Sequence, residues 1–400
     1  MKEKQRIDEI VAHLAPELKE LAHFLHDNPE LSMQEYKAYE KQVELFKKHG
    51  WEVEEEFDAF DTGYRAVYRS GKPGPKIAMC SEYDALPGMG KDGGPGHACG
   101  HNIIAMIGVG SGLAMEEFAD KYGGEIYVYG TPGEEWAGRK VYYARDGKFD
   151  DMDVVMMAHP SCTATDSWNS TALYTIHIDF YGKAAHAGAA PHEGINALDA
   201  IELTHVALGF LRQQTKDDAR ISYHIREGGK TPGIIHEHTG GEIFVRANRK
   251  KYAEELVEKI ENICKGEAMA TGCRLELVVG NGAYMDTFSN QTLSRRATSY
   301  VEEQGVPCYW FNGKNHPGAS DLGNVSYRVP CIQLLCKIAD SPEGDLMGIH
   351  TPYMEEAAGT DEAMEMALLY VKAFTATAID LMTEPEFLAE IKEEFKHVND

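Results

Sequence analysis

Ile10, Leu14, Leu18, Leu21, Phe24 and Leu25 recur with a period close to 3.6 residues, which predicts an amphipathic helix over about residues 7–27. A second helix is predicted from Met33 to His49, ended by Gly50, because glycine leaves a helix at low cost. YRAVYRS and KIAMCSEYDA then read as two strands around the turn GKPGP. The glycine-rich stretch GMGKDGGPGHACGHN leads into a largely apolar helix, IIAMIGVGSGLAMEEFADKYG. GEIYVYGTP is a short strand followed by Glu134 and Glu135, and DVVMMAHP is another that ends at His159 and Pro160. Strands alternating with helices predict an α/β layer with helices on both faces of a sheet. Polar residues gathered just beyond apolar strands stand where open α/β sheets place their sites.

The pattern changes near Ala172. YTIHIDFYG alternates as a half-buried strand should, and INALDAIELTHVALGFLRQQ reads as a helix. ARISYHIREGG, GGEIFVRANR and RLELVVGN are further strands, the last two separated by the helix YAEELVEKIENICKGEAMATG. This order predicts an α+β domain over residues 173–283, inserted between a first segment, 1–172, and a second, 284–400, of a larger domain. In the last segment NQTLSRRATSYVEEQG and Thr360–Leu381 read as helices and VPCIQLLCKI as a buried strand. A length of 400 residues fits two domains better than one.

Composition narrows the partners. With 43% apolar and 26% charged residues the chain is globular rather than disordered. A formal charge of -25, with no long basic span, repels phosphate backbones and argues against nucleic acid. No run approaches the length of a membrane span, and charges interrupt the N-terminal helix where a secretory signal would be apolar. Eight dispersed cysteines do not form the framework of a small disulfide-rich fold, so a reducing cytoplasm is the expected location.

The candidate chemistry is a set of metal-ligand types: Asp84 in SEYDALPG, Cys99 and His101 in HACGHN, Glu134 and Glu135 in GTPGEEWAG, His159 in MMAHP and His350 in GIHTPY. Thiolate, imidazole and carboxylate are the donors of a divalent site. Each residue also has an ordinary reading. Cys99 can be buried filler, His101 a helix-stabilising residue, His159 and His350 turn or surface histidines, Asp84 a turn cap, and Glu134–Glu135 an exposed pair at a helix start. In the functional reading one of the two glutamates holds metal while its neighbour takes a proton from water activated by that metal. His186, set among small residues in YGKAAHAGAAPHEG, can pack locally or polarise a substrate carbonyl.

SEYDALPG, GHACGHN, GTPGEEWAGRKVYYARDGKFDDMDVVMMAHP, YGKAAHAGAAPHEGINALDA and ASDLGNVS, in that order over nearly the whole chain, resemble the M20 metallopeptidase and amidohydrolase family. The likeness is strongest to its aminoacylase-like and aminobenzoyl-glutamate hydrolase branch. The resemblance implies an α/β catalytic domain with a mixed central sheet flanked by helices, plus an inserted α+β lid and dimerisation domain. It implies two divalent ions, Zn²⁺ or Mn²⁺ with Co²⁺ also suited, held by Cys99, His101, Glu135, His159 and His350. Glu134 would be general base and later proton donor, Asp84 a supporting residue, and His186 a lid histidine reaching across a homodimer to the neighbouring site. Gly233 and His236 stand where relatives carry asparagine and proline, Arg246 fits a lid arginine position, and KDGGP lengthens a loop near the site. The expected reaction is hydrolysis of the amide bond of a small N-acyl or N-aroyl amino acid or dipeptide. The alternatives are an aminohydrolase releasing ammonia from a small amine and a non-catalytic metal-binding dimer.

Overall fold

The structure is a computed structural model that describes residues 1–136, 138–280, 283–316, 318–341 and 348–398. The chain forms two compact units, one of Met1–Asn169, Thr287–Asn315 and Asn324–Asp400, the other of Ser170–Asp286 and His316–Gly323. The first unit opens with α1 (Lys4–Asp27), α2 (Tyr36–Lys48), β1 (Glu52–Glu55), β2 (Tyr64–Arg69) and β3 (Lys76–Ser81). It continues with α3 (His101–Tyr122), β4 (Glu125–Gly130), α4 (Arg139–Arg145) and β5 (Val154–Ser161). The second unit holds β6 (Ala172–Tyr181), β7 (Ala185–His186), α5 (Ala197–Arg212), β8 (Arg220–Glu227), β9 (Ile234–Ile235), β10 (His238–Ala247), α6 (Lys250–Thr271) and β11 (Arg274–Val279). Then come α7 (Gln291–Glu302), α8 (Leu322–Ser326), β12 (Cys331–Lys337), α9 (Pro352–Ala358), α10 (Asp361–Thr383) and α11 (Pro385–Phe395).

The sheet of the first unit runs β1-β2-β4-β3-β5-β12. β3, β4, β5 and β12 are parallel neighbours, while β1 and β2 add an antiparallel edge. All eight residues of β5 are buried, as a strand covered on both faces requires. α1 turns Ile7, Val11, Leu14, Leu18, Leu21 and Leu25 into the core, the expected helical stripe. α3 is apolar almost all round because it is enclosed, and its glycines set how closely it is held. A Cβ at Gly108 would stand 2.6 Å from the carbonyl oxygen of Cys80, and one at Gly110 would stand 2.7 Å from Leu18. Each glycine costs the helix roughly 1 kcal/mol of intrinsic stability, offset by bringing α3 directly onto β3 and α1.

In the second unit the antiparallel sheet β11-β6-β10-β8 buries every second residue of β6. Ile176, Ile178, Ile243 and Val245 form a core with Ile201 and Leu208 of α5 and Leu256 and Ile260 of α6, each worth about 1.5–3 kcal/mol when fully buried.

Four details differ from the sequence reading. The second helix starts at Tyr36, not Met33, because Met33 has φ 72° and Glu35 turns its side chain back to the Met33 amide, 2.7 Å away. β3 stops at Ser81, and Glu82 to Ala85 leave the sheet. α10 is long and apolar enough to cross a membrane, yet 72% of its most apolar window is buried inside the structure, which makes it a core helix. The strand RLELVVGN ends at Val279, and its final residue lies outside the described residues.

Candidate metal centre and active site

The site gathers at the carboxyl ends of three adjacent parallel strands, where the sheet leaves room for side chains to converge. β3 delivers Glu82 and Asp84, β4 leads through Thr131–Gly133 to Glu134 and Glu135, and β5 carries His159 near its end. Thr131 fastens two of these ends together, its backbone N–H donating to the Ser81 carbonyl at 2.8 Å and its hydroxyl at 3.0 Å. Cys99 and His101 flank Gly100, which has φ 73° and lies so close to Pro160 that a Cβ would stand 2.7 Å from that ring. Only glycine satisfies both the left-handed backbone and the contact. His350, also at positive φ, is held by its N–H to the Ala98 carbonyl at 2.8 Å.

The potential ligand atoms form overlapping groups. Those of Cys99, His101 and His159 lie within 4.8 Å of one another, as do those of Cys99, Glu135 and His350, and of His101, Glu134 and Glu135. The described positions of Cys99, His101, Glu134, Glu135, His159 and His350 are therefore brought together. Neighbouring acceptors orient both buried imidazoles. His101 Nδ1 is 2.9 Å from Asp84 Oδ1, and His159 Nδ1 is 2.8 Å from the Pro160 carbonyl oxygen. Each acceptor engages Nδ1, which leaves Nε2 as the ring atom directed at the centre. The remaining oxygen of Asp84 accepts from Ser32 Oγ at 2.6 Å and from the Glu135 N–H at 3.0 Å. Asp84 thus spends its acceptors orienting His101 and the Glu134–Glu135 loop.

The electrostatics agree with this division. Burial opposes ionisation of Asp84, but His101, Ser32 and the Glu135 amide hold its carboxyl well below the usual range. Burial, reinforced by His101, pushes His159 down to about 4, so its imidazole is neutral at pH 7 and able to donate a lone pair. Burial also raises Glu135, yet His350 and His101 outweigh it and keep the carboxylate ionised. The buried Cys99 thiol is pushed up by desolvation, a cost that a bound cation reverses because a coordinating thiol loses its proton.

A divalent ion fits this donor set. Glu82 Oε2, His101 Nε2 and Glu135 Oε1 are buried atoms with no hydrogen-bond partner, although buried polar atoms ordinarily have one. All three belong to neighbouring side chains, with His101 Nε2 lying 3.6 Å from Glu82 Oε2 and 3.8 Å from Glu135 Oε1.

Four candidates lie in the second unit. His186 is exposed and pairs through β7 with Ile234 of β9, while the Ala187 N–H donates to the Gly233 carbonyl at 3.0 Å. The amides of Gly188 and Ala189 both donate to His186 Nδ1 at 3.1 Å, so the proton of the neutral ring sits on Nε2 and faces outward. Gly233 has open space where a side chain would project, and His236 packs its ring against Gly229. These three are neighbours along one short ribbon. Arg246 stands near the opposite end of β10, paired with Leu173 and Arg220, about 25 Å along the strand from His238 at the usual rise per residue.

Sequence reasoning missed four buried residues around the centre. Ser32 anchors Asp84; Glu35 accepts from Thr62 Oγ1 at 3.0 Å; Glu82 and Lys140 form a fully buried ion pair. The available signals were faint: Glu82 is two residues before Asp84 in SEYD, and Ser32 and Glu35 flank the break before α2.

A mixed α/β unit whose strand ends gather thiol, imidazole and carboxylate donors, accompanied by an α+β unit, defines the class of metal-dependent hydrolases. A model of the M20 peptidase dimerisation domain matches residues 172–271. Mouse Xaa-Arg dipeptidase is 34% identical over 414 residues, covering 98% of this chain and 92% of the relative. A p-aminobenzoyl-glutamate hydrolase polypeptide of Escherichia coli K12 is 25% identical over 467 residues, with 98% and 95% covered. The crystal structure of a dinuclear metal-binding peptidase of the M20 family from Bacillus subtilis superposes with a TM-score of 0.67 at 18% identity, covering 92% of this chain and 99% of that one. The chain belongs to the M20 family of metallopeptidases and amidohydrolases. It is an enzyme, which displaces the reading as a non-catalytic binding dimer.

Proposed function

We propose that this enzyme hydrolyses the amide bond of a small N-acyl or N-aroyl amino acid or dipeptide, with Glu134 as general base and proton donor. The observation that carries the reading is the adjacency of Glu134 and Glu135 beside His101, their ligand atoms within 4.8 Å of one another. One carboxylate can then serve a cation while the other handles protons. The mouse and E. coli relatives support the substrate class, since Xaa-Arg and p-aminobenzoyl-glutamate, for which they are named, both join an acyl or aroyl carbon to an amino-acid nitrogen.

Cys99, His101, Glu135, His159 and His350 are the proposed holders of two divalent ions. When bound, the ions supply Lewis acidity that brings the pKa of water towards neutrality. Zn²⁺ suits the thiolate and imidazoles, and Mn²⁺ or Co²⁺ is compatible with the same mixed set. Glu134 takes one proton from the attacking water as its oxygen bonds to the acyl carbon. The same carboxyl group then passes that proton to the amide nitrogen, the C–N bond breaks, and an amine and a carboxylate leave. His186 is the proposed donor to the carbonyl oxygen, since its outward Nε2–H is the tautomer such a role needs. Gly233, His236 and Arg246 are the proposed substrate-recognition positions, Arg246 acting from a separate place on the second unit.

The assembly we propose is a homodimer in which His186 serves the neighbouring subunit's site. α5 leaves Leu203, Val206 and Phe210 exposed at 43, 56 and 71%, and the edge strand β8 adds Tyr223 and Ile225. An apolar helix face beside an open strand edge is a surface that a second copy covers. Eight free cysteines support a reducing cytoplasm as the location.

The test is to strip the enzyme with a chelator, reload it with Zn²⁺, Mn²⁺ or Co²⁺, and offer acyl-amino acids, aminobenzoyl-glutamate and dipeptides including Xaa-Arg. Mass spectrometry should find paired amine and carboxylate products only after reloading. Cleavage that persists without metal, or release of ammonia alone, rejects the proposal.

A further inference from the structure

We infer that Glu82 is an additional ligand of the metal centre, giving Oε2 to the cation faced by His101 and Glu135 while Lys140 holds its other oxygen. This inference rests on the reading of the site as a metal centre.

Glu82 and Lys140 are both completely buried, and Lys140 Nζ donates to Glu82 Oε1. Removing both charges from water costs several kcal/mol per ion before pairing returns any of it. A carboxylate retained solely as a counter-ion should spend both oxygens on donors. Glu82 spends one. Its Oε2 is buried without a hydrogen bond and stands 3.6 Å from His101 Nε2, also without one. Asp84 takes up the Nδ1 side of the His101 ring, so Nε2 is the ring atom that faces Glu82. Glu135 Oε1 lies 3.8 Å from the same nitrogen and 3.3 Å from His350 Nε2. A cation between these atoms would give all three the partner that buried polar atoms ordinarily have. Two ligands about 2.1 Å from a tetrahedral ion are separated by roughly 3.4 Å, close to both observed distances.

Lys140 gives this ligand a defined geometry. By occupying Oε1 it leaves Glu82 a single oxygen for the cation, and it offsets part of the negative charge that Glu82, Asp84, Glu134 and Glu135 accumulate around His101. Glu82 therefore differs from Asp84, whose oxygens are all committed to His101, Ser32 and the Glu135 amide.

The experiment compares wild type, Glu82→Gln, Lys140→Met and the double variant Glu82→Gln/Lys140→Met. Each full-length apo-protein is titrated with Zn²⁺ and with Mn²⁺ against a competing chelator, bound ions are counted by mass spectrometry, and thermal unfolding is followed in parallel. Glu82→Gln should lower the affinity for one ion by more than about tenfold and lower Tm, since it removes the buried carboxylate charge paired with Lys140. The double variant should recover Tm because neither buried charge remains, yet still bind that ion more than about tenfold more weakly. Lys140→Met should retain both ions. If the double variant binds two ions with wild-type affinity, Glu82 is a structural counter-ion and the inference is overturned. If wild type itself binds neither metal, the metal-centre reading falls instead, so the two failures are distinguishable.

Discussion

The proposed site residues of the two units are held in opposite ways. In the first unit Asp84, Cys99, His101 and His159 are buried, and both buried imidazoles have fixed acceptors behind them. In the second, His186 is exposed and takes its orientation from two backbone amides of its own turn. The difference corresponds to function: donors to a cation must be fixed before it arrives, whereas a group that meets substrate must be reachable. Metal retention should therefore be a property of the first unit alone, and turnover a property of both.

The strongest way to break that division is Glu134→Gln. It should reduce kcat by roughly 10²–10⁴-fold, the usual contribution of a general acid–base group, with both ions still present by elemental analysis. Loss of metal together with activity would make Glu134 a ligand rather than a base. His186→Ala should cost about 10²–10³-fold in kcat and leave metal affinity untouched; a variant that sheds its ions would erase the contrast between the units.

Glu35 sharpens the comparison through pH. Burial and the nearby Asp84 push its carboxyl up from an ordinary 4.5 to about 7. The unfolded chain loses this proton first, so the protonated group favours the folded state below pH 4.5, and that contribution is lost as pH rises towards 7. On this basis Glu35→Gln should remove a pH-dependent loss on the order of 3 kcal/mol. Urea unfolding at pH 5 and pH 8 should show a smaller difference for the variant than for wild type, and equal pH dependence would reject the assignment. The smallest effect is expected from Ser32→Ala, which deletes one bond to Asp84. Metal affinity should fall by about 10–100-fold and Ser32→Thr should restore it. Unchanged affinity in the alanine variant would show that Asp84 needs no such anchor.

Much of this molecule was legible in one sequence. The period of α1, the alternation of β6 and the apolar run of β5 each follow from which faces are buried, so strand and helix types and their order could be read directly. Cys99, His101, Glu134, Glu135, His159 and His350 stood out as donor types beside glycine or at strand ends, but each also had an ordinary reading, and only the family resemblance joined them into one expected centre. Ser32, Glu35, Glu82 and Lys140 stayed hidden for a physical reason. Serine, glutamate and lysine are ordinary surface residues, and nothing local reveals that a chain break or a strand end has carried them indoors. Where Met33 was expected to begin a helix, the backbone instead turns to bring Ser32 to Asp84, a partner 52 positions away.

The pairing of β5 with β12 also constrains how the protein is made. About 170 residues separate Ser161 from Cys331, so during synthesis the strand bearing His159 waits with one flank bare while the intervening chain leaves the ribosome. Products cut short in that interval should present an open apolar edge and cluster with one another. Expression trials that divide this gene before Cys331 should therefore yield inclusion bodies, however well the excised middle portion behaves alone.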